Sequence, residues 1–232
     1  TGKTPLSIYL EKEIQKLGKK PVIIKKFYKN HADEHLLIKE KLSSLILDKD
    51  RISAIKKAEK EFDIAIMDDG FQDHRIKKDL NILCFHGRQL IGNGYTFPSG
   101  PLRENLSSIK RAHIVIINGE KNVAFENKCQ EINNNIKIFY SKYHLIDSEK
   151  YKNKKILAIA GIGNPDNFFN LLLDNKLNVV KKLPFPDHYE FSKEELQTII
   201  RDANNSGYTI LMTEKDFLRI KKYYFKEINY CS

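Results

Sequence analysis

The chain has 232 residues, 41% of them hydrophobic, and 40 Lys plus Arg against 30 Asp plus Glu give a formal net charge of +10. That apolar share excludes a disordered chain, three cysteines exclude a disulfide-built scaffold, and the absence of an apolar run of about 18 residues leaves no sequence-evident membrane span. The length allows one large or two modest domains, each with its own core.

In chain order, Leu6, Leu10, Ile14 and Leu17 fall on one face of a helix that Gly18 can close, and Pro21 to Ile24 reads as a short buried strand. Helical patterns follow over Glu34 to Lys41 and Arg51 to Glu61, with a short strand at Leu45 to Leu47 between them. Ile64 to Met67, Ile82 to Phe85 and Ile114 to Ile117 are clearer strands. Short apolar runs separated by helices predict a parallel sheet covered on both faces. The Lys- and Asn-rich stretch from Asp147 to Lys155 marks a boundary between domains 1–150 and 151–232. Beyond it, Ile156 to Ala160 predicts a strand, Asp166 to Asn175 a helix and Val179 with Val180 another strand. Ser192-Lys193-Glu194-Glu195 fits the capping box of a helix running to Asn204, and Thr209 to Met212 reads as the last strand.

The chain opens on Thr1-Gly2-Lys3-Thr4-Pro5 rather than on Met, so the expectation is an internal fragment, truncated at its N-terminus. Gly-Lys-Thr directly before a helix is the tail of the phosphate-loop pattern GxxxxGK[ST]. There, backbone amides face the phosphates, the Lys reaches the β and γ oxygens and the Thr hydroxyl holds Mg²⁺. Alone it is a short pattern that chance produces easily. Its partner is the strand Phe62 to Met67, which ends in Asp68-Asp69-Gly70 and so delivers two carboxylates where such a fold places its metal-binding acid.

Asn93 to Glu104 holds two Gly and two Pro and ends in Arg103-Glu104. It reads either as an ordinary loop with a surface ion pair, or as a loop bringing an Arg to a transferring phosphoryl group and a Glu to the metal. Phe185-Pro186-Asp187-His188 and Asp33-Glu34-His35 each offer a carboxylate or imidazole able to take a proton from a hydroxyl. The plain alternatives are a helix cap for Asp33 and a turn residue for His188.

Taken in order, these segments resemble the tetraacyldisaccharide 4′-kinase family of lipid A biosynthesis. The matching blocks are Gly2-Lys3-Thr4-Pro5, Ala32-Asp33-Glu34, Asp68-Asp69-Gly70-Phe71-Gln72, Gly92-Asn93-Gly94, Pro98 to Glu104, Ala160 to Pro165, Phe185 to His188 and Thr213-Glu214-Lys215-Asp216. The resemblance implies a phosphate-loop NTPase-like parallel sheet with helices on both faces, plus a smaller C-terminal α/β domain contributing to the active-site cleft. It implies transfer of the ATP γ-phosphate to the 4′-hydroxyl of an acylated glucosamine disaccharide 1-phosphate at the cytoplasmic face of a Gram-negative inner membrane. By position, Thr1 to Pro5 would bind ATP, and Thr4, Asp68, Asp69 and Glu104 would manage Mg²⁺. Arg103 would meet the transferred phosphate, Asp33 would be the base and His188 its supporting imidazole. Tyr28, Gln72 and His74 would contact the acceptor, with Asp73 here standing where the family carries His.

The basic surplus is 33 Lys and only seven Arg beside 19 Asn, which suits a solvated lysine surface or attraction to an anionic partner. A basic ATPase acting on nucleic acid, and a catalytically silent domain of the same fold, are the competing readings. Few Arg and no basic stripe with interleaved aromatics count against the first, so no nucleic-acid partner is expected. A monomer in peripheral membrane contact is. Cys84, Cys129 and Cys231 form no CxxC pair, which predicts neither a metal site nor a disulfide and makes a reducing compartment the default.

Overall fold

In the computed structural model, the described residues are 2–27, 44–145 and 148–231, and they divide into two units that part after Lys142. In the first, α1 (Lys3–Lys16) leads to β1 (Pro21–Lys26), followed by β2 (Leu45–Asp48), α2 (Arg51–Ala58) and β3 (Ile64–Met67). These strands form a parallel sheet in the order β2-β1-β3. Val22 and Ile24 of its central strand are fully buried against Ala54 and Ala58 of α2. Asp50 caps α2 by accepting from the Ser53 N–H at 3.1 Å. The expected helix over Glu34 to Lys41 lies outside the described residues.

A second parallel sheet of this unit, in the order β4-β5-β6, is built from β4 (Ile82–His86), β5 (Ile114–Asn118) and β6 (Lys137–Ser141). A 3₁₀ turn (Leu106–Arg111) and α3 (Val123–Ile132) connect them. Val115 and Ile117 of β5 pack with Ile109, Phe125 and Cys129. Sequence reading passes over α3 and β6. Both carry local signals: Asn122 caps α3 at the Phe125 N–H, 2.9 Å, and Lys137 to Ser141 alternates exposed and half-buried residues as an edge strand should.

The second unit contains β7 (Lys155–Ala160), α4 (Pro165–Asp174), β8 (Asn178–Pro184), α5 (Lys193–Asn205), β9 (Thr209–Thr213), α6 (Glu214–Ile220) and β10 (Ile228–Cys231). Its parallel sheet runs β10-β9-β7-β8. Strand alternation sorts β7 between two cores. Ile156, Ala158 and Ala160 meet Phe168, Phe169 and Leu172 of α4, while Leu157 and Ile159 meet Leu196, Ile200 and Ala203 of α5. Each such buried Ile or Leu is worth about 1.5–3 kcal/mol. Ser192 accepts from the Glu195 N–H at 3.1 Å, so the expected N-cap forms, but the Glu195 carboxylate accepts from the Tyr189 hydroxyl rather than closing the reciprocal half of a capping box. Thr209–Thr213 is not the last strand: α6 and β10 follow it, and β10 pairs with β9 from Ile228↔Ile210 to Cys231↔Thr213.

α1 corrects another expectation. Leu17 is 78% exposed and Leu6, Leu10 and Ile14 are only half-buried, while the buried residues are Ser7 and Glu11. The helix face is decided by contact with a carboxylate rather than by the leucine stripe, as the site geometry shows. Gly18 closes the helix in the left-handed region as its sequence position suggests. Burial pushes the thiols of Cys84 and Cys129 up to about 11 and that of Cys231 to about 12, and all three are free.

Candidate active site

Gly2 caps α1 at φ 80, a left-handed conformation open to glycine, and no side chain or first-turn acid covers the amides behind it. Among the described residues no side chain therefore caps the positive end of this 14-residue helix, whose first turn carries Lys3 and Thr4. Thr4 Oγ1 donates to Asp68 Oδ2 at 2.9 Å, and Ser7 Oγ, one turn on, donates to Asp68 Oδ1 at 3.5 Å. These two bonds turn the Ser7 face of α1 toward the sheet.

Asp68 is only 2% exposed. Its backbone N–H donates to Ile24 O at 3.0 Å, extending the β1–β3 ladder, and Lys25 Nζ lies 3.0 Å from its Oδ2. Asp69 takes a left-handed φ of 59, which aspartate tolerates better than most residues. Its carboxylate meets Lys3 Nζ at 2.9 Å and accepts on both oxygens from Arg103 Nη1 at 2.7 Å. Burial works to raise the Asp69 carboxyl, but Arg103 and Lys3 outweigh it and hold its pKa below the usual value. Arg51, first residue of α2, fixes the turn from the other side by donating through Nη2 to Asp69 O at 2.7 Å and Asp68 O at 3.4 Å.

The loop before Arg103 is folded on itself. Asn93 Nδ2 donates to Ser99 O at 2.7 Å, Phe97 N to Leu102 O at 2.8 Å, and Gly100 N to Thr96 O at 3.0 Å. A Cβ on Gly100 would fall 2.3 Å from Tyr95 O, so only glycine closes this loop unstrained. Arg103 and Glu104 are not paired with each other. Arg103 goes to Asp69, whereas Glu104 Oε2 accepts from Arg111 Nη2, and Arg111 also contacts His74 Nδ1 at 2.9 Å while stacking over the Phe71 ring at 4.6 Å. Glu104 Oε1 is buried and makes no hydrogen bond, with His74 Nε2 4.0 Å away. Lys3, Asp69, Gln72, Arg103 and Glu104 share the lining of a cavity of about 170 Å³ that the end of β4 also walls.

The structure thus brings Lys3, Thr4, Asp68, Asp69, Gln72, His74, Arg103 and Glu104 into one neighbourhood of the first unit. Thr1, Tyr28 and Asp33 lie outside the described residues, and Pro5 is an exposed residue of the first helical turn. Sequence reading misses Lys25, Arg51 and Arg111 as parts of this neighbourhood. An Asp-Arg helix start is a signal for Arg51, but nothing in a lysine-rich chain singles out Lys25.

In the second unit, His188 follows β8 with a left-handed φ of 60. Its Nε2 lies 3.4 Å from Lys215 Nζ and 3.8 Å from Asp187 Oδ1, and its Nδ1 lies 3.5 Å from Arg219 Nη2. Arg219 is held by Asp216, whose Oδ1 accepts from its Nη1 at 2.7 Å. Asp216 is fully buried, and its Oδ2 accepts from the Gly161 N–H at 2.9 Å and from Thr213 Oγ1 at 2.5 Å. Asp216 and Arg219 are also missed as supports of His188. Thr213-Glu214-Lys215-Asp216 has the spacing of a helix cap and carries the signal for Asp216.

Asp73, at the place of a family histidine, pairs instead with arginines. Its carboxylate accepts from Arg75 Nε at 3.0 Å and Nη2 at 2.9 Å, with Arg51 Nη1 3.8 Å away, and this pairing holds its pKa down to about 2. Because the folded value lies below the unfolded one of about 4, the pairing contributes stability above that pH, and the contribution is lost as pH falls through about 2. Asp73→Asn is therefore expected to be less stable than the parent at pH 7, with the difference shrinking between about pH 4 and 2. Thermal melts across that range check this, and a gap independent of pH would contradict it.

The chain is 41% identical over 99% of its length to a tetraacyldisaccharide 4′-kinase of Pelagibacter ubique, covering 74% of that protein. It is 29% identical to proteins of the same name from Rhodopseudomonas palustris, over 94% of the chain and 71% of the relative, and from Francisella tularensis subsp. novicida, over 96% and 77%. No solved structure matches the chain. The sequence model of the tetraacyldisaccharide-1-P 4′-kinase family matches residues 1–231, nearly the whole chain, and with the motifs above in order along it, the chain belongs to that family.

Proposed function

We propose that this protein transfers the γ-phosphoryl group of ATP to the 4′-hydroxyl of an acylated glucosamine disaccharide 1-phosphate. A kinase family implies ATP as substrate, and the observation that carries the reading is the convergence of Lys3 and Arg103 on Asp69 beside the open start of α1. Both cations can exchange a carboxylate for phosphate oxygens, and the helix amides add donors for the same charge. In the transfer, a bond forms between the 4′-oxygen and the γ-phosphorus while the bond to the bridging oxygen breaks, so charge builds on ADP, and Lys3 and Arg103 offset it.

Magnesium suits the donor set. Thr4, Asp68, Asp69 and Glu104 offer hard oxygen ligands, and Glu104 Oε1 is a buried carboxylate oxygen without a hydrogen bond. Among the described residues no three of His, Cys, Asp and Glu converge closely enough to hold a metal ion by themselves. Each of these carboxylates is paired with a cation: Asp68 with Lys25, Asp69 with Lys3 and Arg103, and Glu104 with Arg111. When bound, the ion would add positive charge at the β and γ phosphates.

In this reading, a first domain to about residue 150 carries the nucleotide chemistry and the second supplies His188. Asp33 accepts the 4′-hydroxyl proton as the bond to phosphorus forms, His188 supports it, and Tyr28, Gln72 and His74 contact the acceptor. The acceptor is a lipid, so the protein, proposed to be a monomer, works at the cytoplasmic face of the inner membrane, held peripherally. No helix among the described residues is long and apolar enough to cross a membrane. Lys12, Lys16, Lys19 and Lys20, on and just after α1, can each add attraction to anionic headgroups of roughly 1 kcal/mol near the surface.

The test is full-length protein mixed with γ-labelled ATP and acceptor in anionic phospholipid vesicles. Label in the lipid and protein pelleting with the vesicles at low salt are expected, and Asp33→Ala and His188→Ala should each lower transfer while ATP binding persists. ATP hydrolysis stimulated by nucleic acid, with no labelled lipid, would overturn the reading.

A further inference from the structure

Lys25 lies at the carboxyl end of β1, the central strand of its sheet, where the backbone bond from Asp68 N–H to Ile24 O sets it beside the start of the Asp68-Asp69 turn. Their side chains meet with 11% exposure for Lys25 and 1% for Asp68, and Lys25 Nζ shares Asp68 Oδ2 with the Thr4 hydroxyl. Lysine is seldom buried this deeply without a partner of opposite charge. Here the partner is the acid proposed to serve magnesium, together with the threonine proposed for the same ion.

Lys3 and Arg103 line the cavity and are placed to leave Asp69 for phosphate oxygens, but Lys25 reaches Asp68 from β1 rather than from the cavity wall. Its charge is thus placed to remain beside Asp68 when nucleotide enters the cavity. A buried carboxylate needs such a counter-charge while no dication is near it, and a dication arriving at the same carboxylate is repelled by it. We propose that Lys25 is the resident counter-ion of Asp68 and weakens the site for bare Mg²⁺, so that the ion enters together with the negative charge of the nucleotide phosphates. This inference rests on the magnesium role given to Asp68 above.

The test titrates Mg²⁺ alone, without nucleotide, into full-length wild-type, Lys25→Met and Lys25→Arg proteins by calorimetry, with melting temperatures taken in parallel. Methionine keeps most of the stem volume and removes the charge. Lys25→Met should melt several degrees lower than wild type without metal, bind bare Mg²⁺ at least about tenfold more tightly, and recover much of the lost melting temperature when Mg²⁺ is added. Lys25→Arg should keep the weak affinity of the parent. A Lys25→Met protein folded only in Mg²⁺ supports the inference. One unfolded under both conditions is replaced by Lys25→Gln, whose amide can still donate to Asp68 and for which the same tighter binding is expected. A folded neutral variant with wild-type affinity for bare Mg²⁺, alongside a wild type whose ATP binding responds to Mg²⁺, overturns the inference alone. If wild-type ATP binding ignores Mg²⁺, the magnesium role of Asp68 falls and the inference with it.

Discussion

Lys3→Ala is expected to lower phosphoryl transfer by about two to three orders of magnitude, the range typical of losing one charged donor aimed at a developing anion. The change should leave the fold nearly untouched. The Lys3–Asp69 pair is about one-third exposed on both sides, with 34% and 38% of the side chains accessible, and pairs of that kind contribute about 0–1 kcal/mol. Asp69 also keeps both contacts to Arg103, so its turn retains an anchor. Steady-state kinetics beside a thermal melt separate the two effects. A rate within about threefold of wild type would remove Lys3 from the chemistry, since even one weak donor contributes more than that. Arg103→Ala makes a useful partner, because Arg103 and Lys3 share one carboxylate and their effects on transfer need not add.

Asp216→Ala is expected to cost about 3–5 kcal/mol of stability in the second unit, the cost of breaking a buried ion pair from one side. Three donors lose their acceptor at once: the Gly161 amide, the Thr213 hydroxyl and the Arg219 guanidinium. The Arg219 side chain, only 9% exposed, would retain its hydrogen bond to Gly161 O at 2.9 Å but keep a buried charge without its carboxylate. Asp216→Asn preserves shape and loses less. With no tryptophan in the chain, urea unfolding is best followed by circular dichroism, and a loss below about 1 kcal/mol would show that Asp216 is not the tie it appears in the geometry. Since Arg219 Nη2 approaches His188 Nδ1, the conservative variant should also change transfer more than it changes ATP affinity.

Most strands were legible because parallel sheets bury both strand faces and so demand short continuous apolar runs, as in Pro21 to Ile24 or Ile156 to Ala160. β6 and β10 sit at sheet edges, where one side needs less apolar surface, and their mixed sequences hid them. The leucine stripe of α1 misled for a different reason: Thr4 and Ser7 bond to Asp68, and those contacts outweigh the half-burial of three apolar side chains. Within the site, residues of motifs could be named beforehand because Gly-Lys-Thr, Asp-Asp-Gly and Arg-Glu are short and ordered. Lys25, Arg51 and Arg111 could not, since what qualifies them is a partner distant in sequence: Asp68 from Lys25, the Asp69 carbonyl from Arg51, His74 from Arg111.

Because every named strand runs parallel to its sheet neighbours, each unit has one edge where strands end and chemistry collects, and an opposite edge where helices hand the chain back to the next strand. The returning turns are short and their tips exposed: Asn134 before β6, Lys176 before β8 and Gly207 before β9. None of these residues touches the groups discussed above. They are natural attachment points for a spectroscopic label or an inserted tag, and the three burial-suppressed thiols leave an introduced surface cysteine at Asn134 or Lys176 as the group that reacts first with a thiol-directed dye at neutral pH.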